Sequence, residues 1–478
     1  MACLNFDTNA ASGIHYSKKA VDKLPAELLR MILYSIVGCD PTMEPNFIIS
    51  VPPALCLVNR RWNRVFAPFL YSHYAFYGNP DKIGGLWCFL RTIYTRPDLA
   101  ECVRYLGLTN KHTSKRQINE EEGLRALHNF SEDNLPWGER AFCDAGLESL
   151  MDEFAIDMLN YGQVPDVEDA PDGEIYEAYT RPLIAMVIAY CPNLLRLHLH
   201  VTPENPYLTP ILQYATAKLD PTEPSAPSRP ALQNLHTLTL SPLPPVCDRW
   251  DRLCDELCDD CIGHSPMFDV EIGPEVPFYL LPKLKDLLVI GAHLKFDTHS
   301  STPTTKSKQR TSMIETLRLG ASNTHHTHFE SLANLTPNLR KISINLGPNC
   351  SGPALCACIL PVLNRFKNQL EDLNIFQEYW GTWDLDGKIC ASFTEFPKLR
   401  DLSIPLHIIA GSDCGHRAWE RMRGHLPLNL ESLCVYLGPI QIDDETLPSE
   451  LVVGEIENFK IWHKERERTV RVRWSWVG

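Results

Sequence analysis

The residues best suited to chemistry in this chain are four cysteines and a histidine in the segment VCDRWDRLCDELCDDCIGH, namely Cys247, Cys254, Cys258, Cys261 and His264. Zinc in proteins is held by four such soft ligands arranged as a tetrahedron. The spacing C-x6-C-x3-C-x2-C, however, matches no established zinc finger. Cys254, Cys258 and Cys261 also share one face of a helix, where cysteine packs as a small apolar residue. We therefore predict no metal ligand here, with a zinc-dependent protein built on this cluster as the alternative.

Other motifs of catalysis or metal binding are missing from the sequence. His325, His326 and His328 are close together, but no carboxylate or cysteine is spaced to complete a metal site with them. The chain contains no G-x-S-x-G elbow, no H-E-x-x-H and no P-loop. A triad assembled in space leaves no such motif. The sequence thus indicates a protein that is not an enzyme and needs no cofactor.

The bulk composition is that of a folded protein with more than one domain or an extended repeat array. The 478 residues are 44% hydrophobic and 22% charged, with a net charge of −14. Phosphate binding requires a basic surface, so we predict no nucleic-acid partner.

The sequence also predicts the compartment. The N-terminus has no apolar signal region, and the longest apolar stretch, Leu183 to Cys191, is too short to cross a bilayer. The 17 cysteines are then best interpreted as reduced thiols. We expect no membrane association and a cytoplasmic or nuclear location.

Two helices are predicted near the N-terminus. Pro25 and Glu27 are start signals for the first, and Gly38 is a stop signal. Its apolar positions recur with helical spacing, at Leu24, Leu28, Leu29, Ile32, Leu33 and Ile36. After a loop with four prolines, residues 54–74 predict a second helix that bends or breaks at Pro68. Its apolar face consists of Leu55, Val58, Trp62 and Val65 or Phe66.

These two segments, LPAELLRMIL and LCLVNRRWNRVF, resemble the F-box motif over residues 23–69. That motif begins Leu-Pro-x-Glu-Leu/Ile-Leu and ends Leu-x-Val-x-Arg-x-Trp, although the loop between the segments is longer and richer in proline here. The resemblance implies a helical module that docks on a Skp-type adaptor of a cullin-RING ubiquitin ligase. It implies a contact surface and supporting core formed by Leu24, Pro25, Leu28, Leu29, Ile32, Leu33, Leu55, Val58 and Trp62. In the alternative, these helices cap the domain that follows.

A pattern of the form apolar-x-x-apolar-x-apolar recurs nine times along the rest of the chain. The copies are 103–108, 194–199, 235–240, 284–289, 314–319, 339–344, 370–375, 399–404 and 430–435. Each copy ends with two apolar residues separated by one other residue, and this alternation predicts a short strand. Helical stretches are predicted between copies at 328–335, 359–366 and 416–426. A strand followed by a helix, repeated from one copy to the next, predicts parallel strands stacked in a solenoid.

This pattern resembles leucine-rich repeats, which implies a binding surface for a protein partner. The asparagine or cysteine that usually follows the strand is replaced by Thr202, Leu243, Gly347, Glu378 and Gly438. We therefore expect no asparagine ladder of the usual kind and an irregular array. Unrelated strands in a globular α/β fold are the alternative.

Together these patterns predict a fold of the α+β or α/β class with an F-box helical module and an irregular leucine-rich-repeat-like solenoid. The predicted regions are a flexible N-terminus (1–20), the module (21–75), a linking helical region with the first repeat (76–182), the solenoid (183–460) with insertions at 203–230 and 297–312, and a C-terminal capping strand (461–478). The predicted function is a substrate receptor for a ubiquitin ligase with an unknown protein target. A protein-interaction scaffold unconnected to a ligase is the alternative.

Overall fold

The computed structural model describes part of the chain. The described residues are 24–37, 54–77, 83–109, 136–159, 172–199, 206–216, 231–240, 270–271, 278–290, 292–293, 312–322, 336–346, 360–377, 391–410, 422, 424–437, 457–463 and 466–476. The chain divides into two compact units, Met1–Tyr74 and Ala75–Gly478.

The described residues of the first unit form three helices: α1 (Ala26–Val37), α2 (Ala54–Leu57) and α3 (Arg60–Leu70). Helix α1 confirms the first predicted helix. The second predicted helix is divided, and the break falls at Val58 and Asn59, not at Pro68. Asn59 caps α3, because its side-chain oxygen accepts hydrogen bonds from the backbone N–H groups of Arg61 and Trp62, both at 2.9 Å. Pro68 lies inside the last turn of α3.

The second unit is of the α/β class, and its main sheet contains ten parallel strands. The fourteen strands of the described chain are β1 (His73–Tyr77), β2 (Tyr105–Thr109), β3 (Arg196–Leu199), β4 (Thr237–Leu240), β5 (Val270–Glu271), β6 (Asp286–Ile290), β7 (Ala292–His293), β8 (Thr316–Ser322), β9 (Lys341–Leu346), β10 (Asp372–Gln377), β11 (Asp401–Pro405), β12 (Ser432–Leu437), β13 (Glu457–His463) and β14 (Arg466–Trp476). Their order in the main sheet is β1-β2-β3-β4-β6-β8-β9-β10-β11-β12-β14-β13, while β5 and β7 form a separate pair.

All nine copies of the sequence pattern form parallel strands of this sheet, as predicted. Equivalent residues of successive copies are in register, so Leu373 lies opposite Ile342 on one side and Leu402 on the other. The apolar residues of each copy are buried. Burying one face of each strand specifies the register, because a shift of one residue would expose that whole face.

Helices occupy several of the connections between strands. They are α4 (Ile83–Thr95), α5 (Pro97–Ala100), α6 (Met151–Leu159), α7 (Asp172–Ala189), α8 (Leu208–Thr216), α9 (Leu360–Leu363) and α10 (Leu406–Ala410), and residues 136–144 are also helical. Helix α9 and the 3-10 turn Asn364–Phe366 match the helix predicted at 359–366. The helix predicted at 328–335 lies outside the described residues, as do the insertion predicted at 297–312, apart from Ser312, and most of the helix predicted at 416–426.

The prediction of an extended insertion at 203–230 is wrong for its first half. Helix α8 lies within this range, and Leu208, Ile211, Leu212 and Ala215 are all buried. Their spacing is that of one helical face. The seven prolines of the segment concealed this pattern, but Pro210 stands in the first turn of the helix, where its missing N–H would have no partner in any case.

The C-terminal segment forms two strands instead of the single strand predicted. Strand β14 pairs in parallel with β12, and β13 pairs with β14 in the antiparallel sense. The alternating residues of the RTVRVRWSW segment correctly predict β14. Strand β13 begins at Glu457, inside the range that the sequence assigned to the repeats, and it is the last strand of the sheet.

Side-chain amides link successive repeats at a position just before the strand. Each stands directly before the leading leucine of its repeat and donates a hydrogen bond to a backbone carbonyl of the repeat before it. The pairs are Asn193 to Glu101 (3.0 Å), Asn234 to Pro192 (3.4 Å), Asn338 to Ser312 (2.9 Å), Gln369 to Pro337, and Asn429 to Pro397. The five positions at which the sequence lacks an asparagine lie outside the described residues. The sheet therefore does have an amide ladder, but at a position that the expected repeat pattern does not assign to it.

Asn338→Ala is expected to destabilise the second unit by about 1 kcal/mol. The substitution leaves the Ser312 carbonyl without its side-chain donor, and a hydrogen bond of this kind contributes roughly 0.5–1.5 kcal/mol net. The measurement is urea denaturation of the full chain. Asn368→Ala is the matched control, because Asn368 is an exposed amide in the next repeat. An equal effect of both substitutions would contradict the ladder's contribution.

A row of alternating charges precedes the strands from β6 to β12. Its members form three ion pairs, Lys285–Glu315 (3.4 Å), Arg340–Glu371 (3.8 Å) and Arg400–Glu431 (3.8 Å). All six side chains are substantially exposed, so each pair contributes at most about 1 kcal/mol. The alternation favours the observed order, because displacing a strand by one place would bring like charges together.

Candidate partner-binding surfaces

The helical unit has a small apolar core. Leu29 and Leu33 of α1 pack with Cys56, Trp62 and Phe66, and all five are buried. The Trp62 and Phe66 rings meet edge to face with their centroids 5.2 Å apart. Burial raises the pKa of the Cys56 thiol, so this group is protonated at neutral pH and packs as an apolar residue. This core holds α1, α2 and α3 together.

The same unit exposes large apolar side chains. Leu28 is 42% exposed, Met31 59%, Val58 54% and Leu57 83%. Four of the seven exposed large hydrophobic residues in the described chain therefore belong to this small unit. Such side chains concentrated in one small module are typical of a surface that binds a partner.

The nine residues that the F-box resemblance assigns to adaptor binding fall into three groups. Leu29, Leu33 and Trp62 are buried in the core, where they support the helices and are not available for contact. Three more are half-buried and pack against the core, namely Leu24, Ile32 and Leu55. The exposed ones are Pro25, Leu28 and Val58. This last group is the most accessible to a partner while the unit stays folded.

Met31 and Leu57 are exposed apolar residues that the sequence analysis did not select. Successive residues of a helix are separated by roughly 100°, so Leu28 and Leu29 cannot face the same way. The spacing of Leu28 and Met31, three residues apart, was a signal for a second apolar stripe on α1. Leu57 carried a weaker signal, since it ends the short helix α2 directly before the polar cap of α3.

The second unit offers a different kind of surface on its sheet. Residues that alternate with the buried leucines lie on the opposite face, and in β9 to β11 they are mainly polar. A groove of about 340 Å³ runs along this face. Strands β6 to β11 line it with Leu288, Ile290, Thr316, Arg318, Lys341, Ser343, Asn345, Asp372, Asn374 and Ser403, among others.

A hydrogen-bonded network forms one part of this face. The Asn374 side chain donates to the hydroxyl of Ser343 at 3.3 Å and accepts from the hydroxyl of Tyr436 at 3.2 Å. The Tyr436 ring packs edge to face on Phe376, with centroids 5.1 Å apart. The network connects β9, β10 and β12, so the Ser343 and Asn374 side chains of the groove are held in defined positions.

Two carboxylates lie side by side next to this network. Asp372 of β10 is directly opposite Asp401 of β11, and Lys341 of β9 is opposite Asp372 on the other side. Burial raises the pKa of Asp372, and the charge of Asp401 raises it further. Lys341 and Arg318 oppose this effect without cancelling it. The ionised form of Asp372 is therefore less well stabilised in the folded protein than in water.

Asp372→Asn is expected to raise the Tm at pH 7, and the gain should disappear near pH 3. A raised carboxyl pKa contributes stability that is present below the unfolded pKa and lost as pH rises through the folded pKa. Asparagine does not ionise, so the variant escapes that loss. The measurement is the Tm at both pH values, with Ser403→Ala as a control on the neighbouring strand that does not titrate. A lower Tm for Asp372→Asn at pH 7 would show that the two cations outweigh burial.

The described residues provide no metal centre. No group of three or more histidine, cysteine, aspartate or glutamate side chains among them is arranged to hold a metal ion. The clusters at 247–264 and 325–328 lie outside the described residues, so the zinc alternative is untested. In the part of the chain that the structure describes, no helix is both long and apolar enough to cross a membrane.

No protein-family model matches this chain, and no curated protein was found to be similar to it.

Proposed function

We propose that this protein is an F-box-type substrate receptor. Its helical unit docks on a Skp-type adaptor of a cullin-RING ubiquitin ligase, and its sheet, as an irregular leucine-rich-repeat-like solenoid, binds a protein target. Ubiquitin transfer belongs to other subunits of the ligase. This chain contributes proximity and orientation, without a cofactor and without catalytic residues of its own.

The observation that carries the proposal is the exposure of Leu28 and Val58. Both stand at apolar positions of the motif that the sequence resembles, and both are about half exposed, at 42% and 54%. The buried motif residues Leu29, Leu33 and Trp62 hold the two segments together through the core. The sequence motif is thus divided between residues that build the unit and residues that are free to meet a partner.

The second unit supports the other half of the proposal. Strands in successive repeats present a broad face with a polar groove. Such an open face suits a protein partner better than it suits a small molecule.

The test is co-expression of the full chain with a Skp-type adaptor, followed by affinity purification on a tag carried by this chain. We expect an equimolar complex that remains intact in size-exclusion chromatography. A folded protein that purifies without the adaptor would overturn the ligase proposal and leave an interaction scaffold as the better description.

A further inference from the structure

The groove on the sheet face has a division of charge that the proposed function does not itself require. Arg318 and Lys341 line its β8 and β9 side, and Asp372 lines its β10 side. Asp401 of β11 stands directly opposite Asp372, next to the groove lining. Neighbouring strands are about 4.8 Å apart. Two adjacent side chains of a ligand can therefore reach the two cations and the two carboxylates at the same time. A ligand that matches this groove must carry both signs of charge.

Two acceptors that line the groove have no hydrogen-bond donor among the described residues. Among the described residues, none donates a hydrogen bond to the Asp372 carboxylate. The side-chain oxygen of Asn345, which also lines the groove, is buried and has no hydrogen-bond partner. Buried or half-buried acceptors of this kind normally obtain donors from the protein or from a bound molecule. The ligand should therefore supply N–H groups.

A guanidinium group meets this requirement better than an ammonium group does. Its planar fork of five donors can reach two adjacent carboxylates at once, whereas lysine presents a compact point charge. Arg318 and Lys341 would repel a ligand that is basic throughout. An acidic residue next to the arginine removes that repulsion and pairs with the two cations.

We propose that the groove binds a segment of the target protein in which an arginine and an acidic residue are neighbours. The guanidinium lies between Asp372 and Asp401, and the acidic side chain lies against Lys341 and Arg318. This inference rests on the proposed function, because the target is the protein that the receptor presents to the ligase. The volume of about 340 Å³ is near the lower end of the range for ligand pockets, which suits a few side chains of an extended segment.

The test is a selection of randomised heptapeptides displayed on phage against the purified full chain. We expect enrichment of peptides that contain arginine beside aspartate or glutamate. Labelled synthetic copies are then measured by fluorescence anisotropy against the wild type, against Asp372→Asn plus Asp401→Asn, and against Asp286→Asn. Asp286 is the matched control, because it has the equivalent register position on β6 but stands opposite Thr237 and Thr316, with no second carboxylate on the paired strands.

The double variant should bind at least tenfold more weakly, and Asp286→Asn should bind as the wild type does. Replacing the peptide's arginine with glutamine should cause the same loss. The proposal is overturned if no such motif is enriched, or if the enriched peptides bind the double variant with unchanged affinity.

Adaptor co-purification on the same preparations distinguishes this inference from the proposed function. Retained adaptor binding without an arginine motif would sink the groove inference alone. Specific peptide binding without adaptor binding would sink the ligase proposal and leave the groove as the site of a scaffold.

Discussion

Replacing Leu28 and Val58 with aspartate is expected to abolish co-purification of the Skp-type adaptor, with a loss of affinity of at least about 100-fold. Each side chain is about half exposed in the free protein and is available to a partner. Burying an apolar side chain of this size contributes roughly 1.5–3 kcal/mol, and 100-fold in affinity corresponds to about 2.7 kcal/mol. A carboxylate introduced in its place would also have to lose water on binding.

The stability of the double variant separates loss of contact from loss of fold. Because both side chains are exposed, its helix content by circular dichroism and its Tm should match those of the wild type. Met313→Asp is the matched control, since Met313 is an equally exposed apolar residue (46%) of the second unit, and this variant should retain the adaptor. Trp62→Ala behaves differently, because Trp62 is a core residue and its loss weakens the fold first. Full adaptor binding by the double variant would contradict the proposed surface.

Leu373→Ala is expected to destabilise the second unit by about 2–5 kcal/mol. Leu373 is completely buried in β10, with Ile342 and Leu402 in register on its two sides. Truncation removes its apolar contacts and leaves a cavity between strands that pack on both sides, and both effects lower the free energy of unfolding. The measurement is urea denaturation, in which the midpoint falls while the dependence on urea concentration stays the same.

Ser403→Ala is the control for this substitution. Ser403 lies on β11 at the next register position but on the opposite face of the sheet, where it lines the groove. Its truncation removes no core contact, so we expect a change within about 0.5 kcal/mol. Similar small effects at Leu373 and Ser403 would mean that the alternation does not determine which face forms the core.

The parallel strands could be predicted from the sequence because their signal is local and repeated. In a strand, adjacent residues face opposite sides, so an alternation such as Leu370 to Ile375 directly indicates one buried face. Nine copies of the same pattern in the same register also predict strands that pair with each other. Helix α1 was equally predictable, since Pro25 marks its start and the apolar spacing shows its helical period.

Patterns that depend on a partner element were not visible in the same way. The sequence of α1 has apolar residues on two stripes, and packing against Trp62 and Phe66 decides that Leu29 and Leu33 are the core residues. Helix α8 was concealed by prolines whose cost depends on their position in the helical turn. The amide ladder was missed because its acceptors are backbone carbonyls of another repeat, up to 92 positions away in the chain.

The sequence by itself predicts the nine repeat strands, their parallel order, strand β14 and helix α1, because each depends on a periodicity of neighbouring residues. Only the tertiary structure decides which apolar residues remain at the surface and which polar residues meet. Leu28 becomes a contact candidate because the core selects Leu29 instead. Asp372 and Asp401 become neighbours because parallel pairing brings together residues 29 positions apart. Burial and juxtaposition are properties of packed elements, and a single chain segment does not contain them.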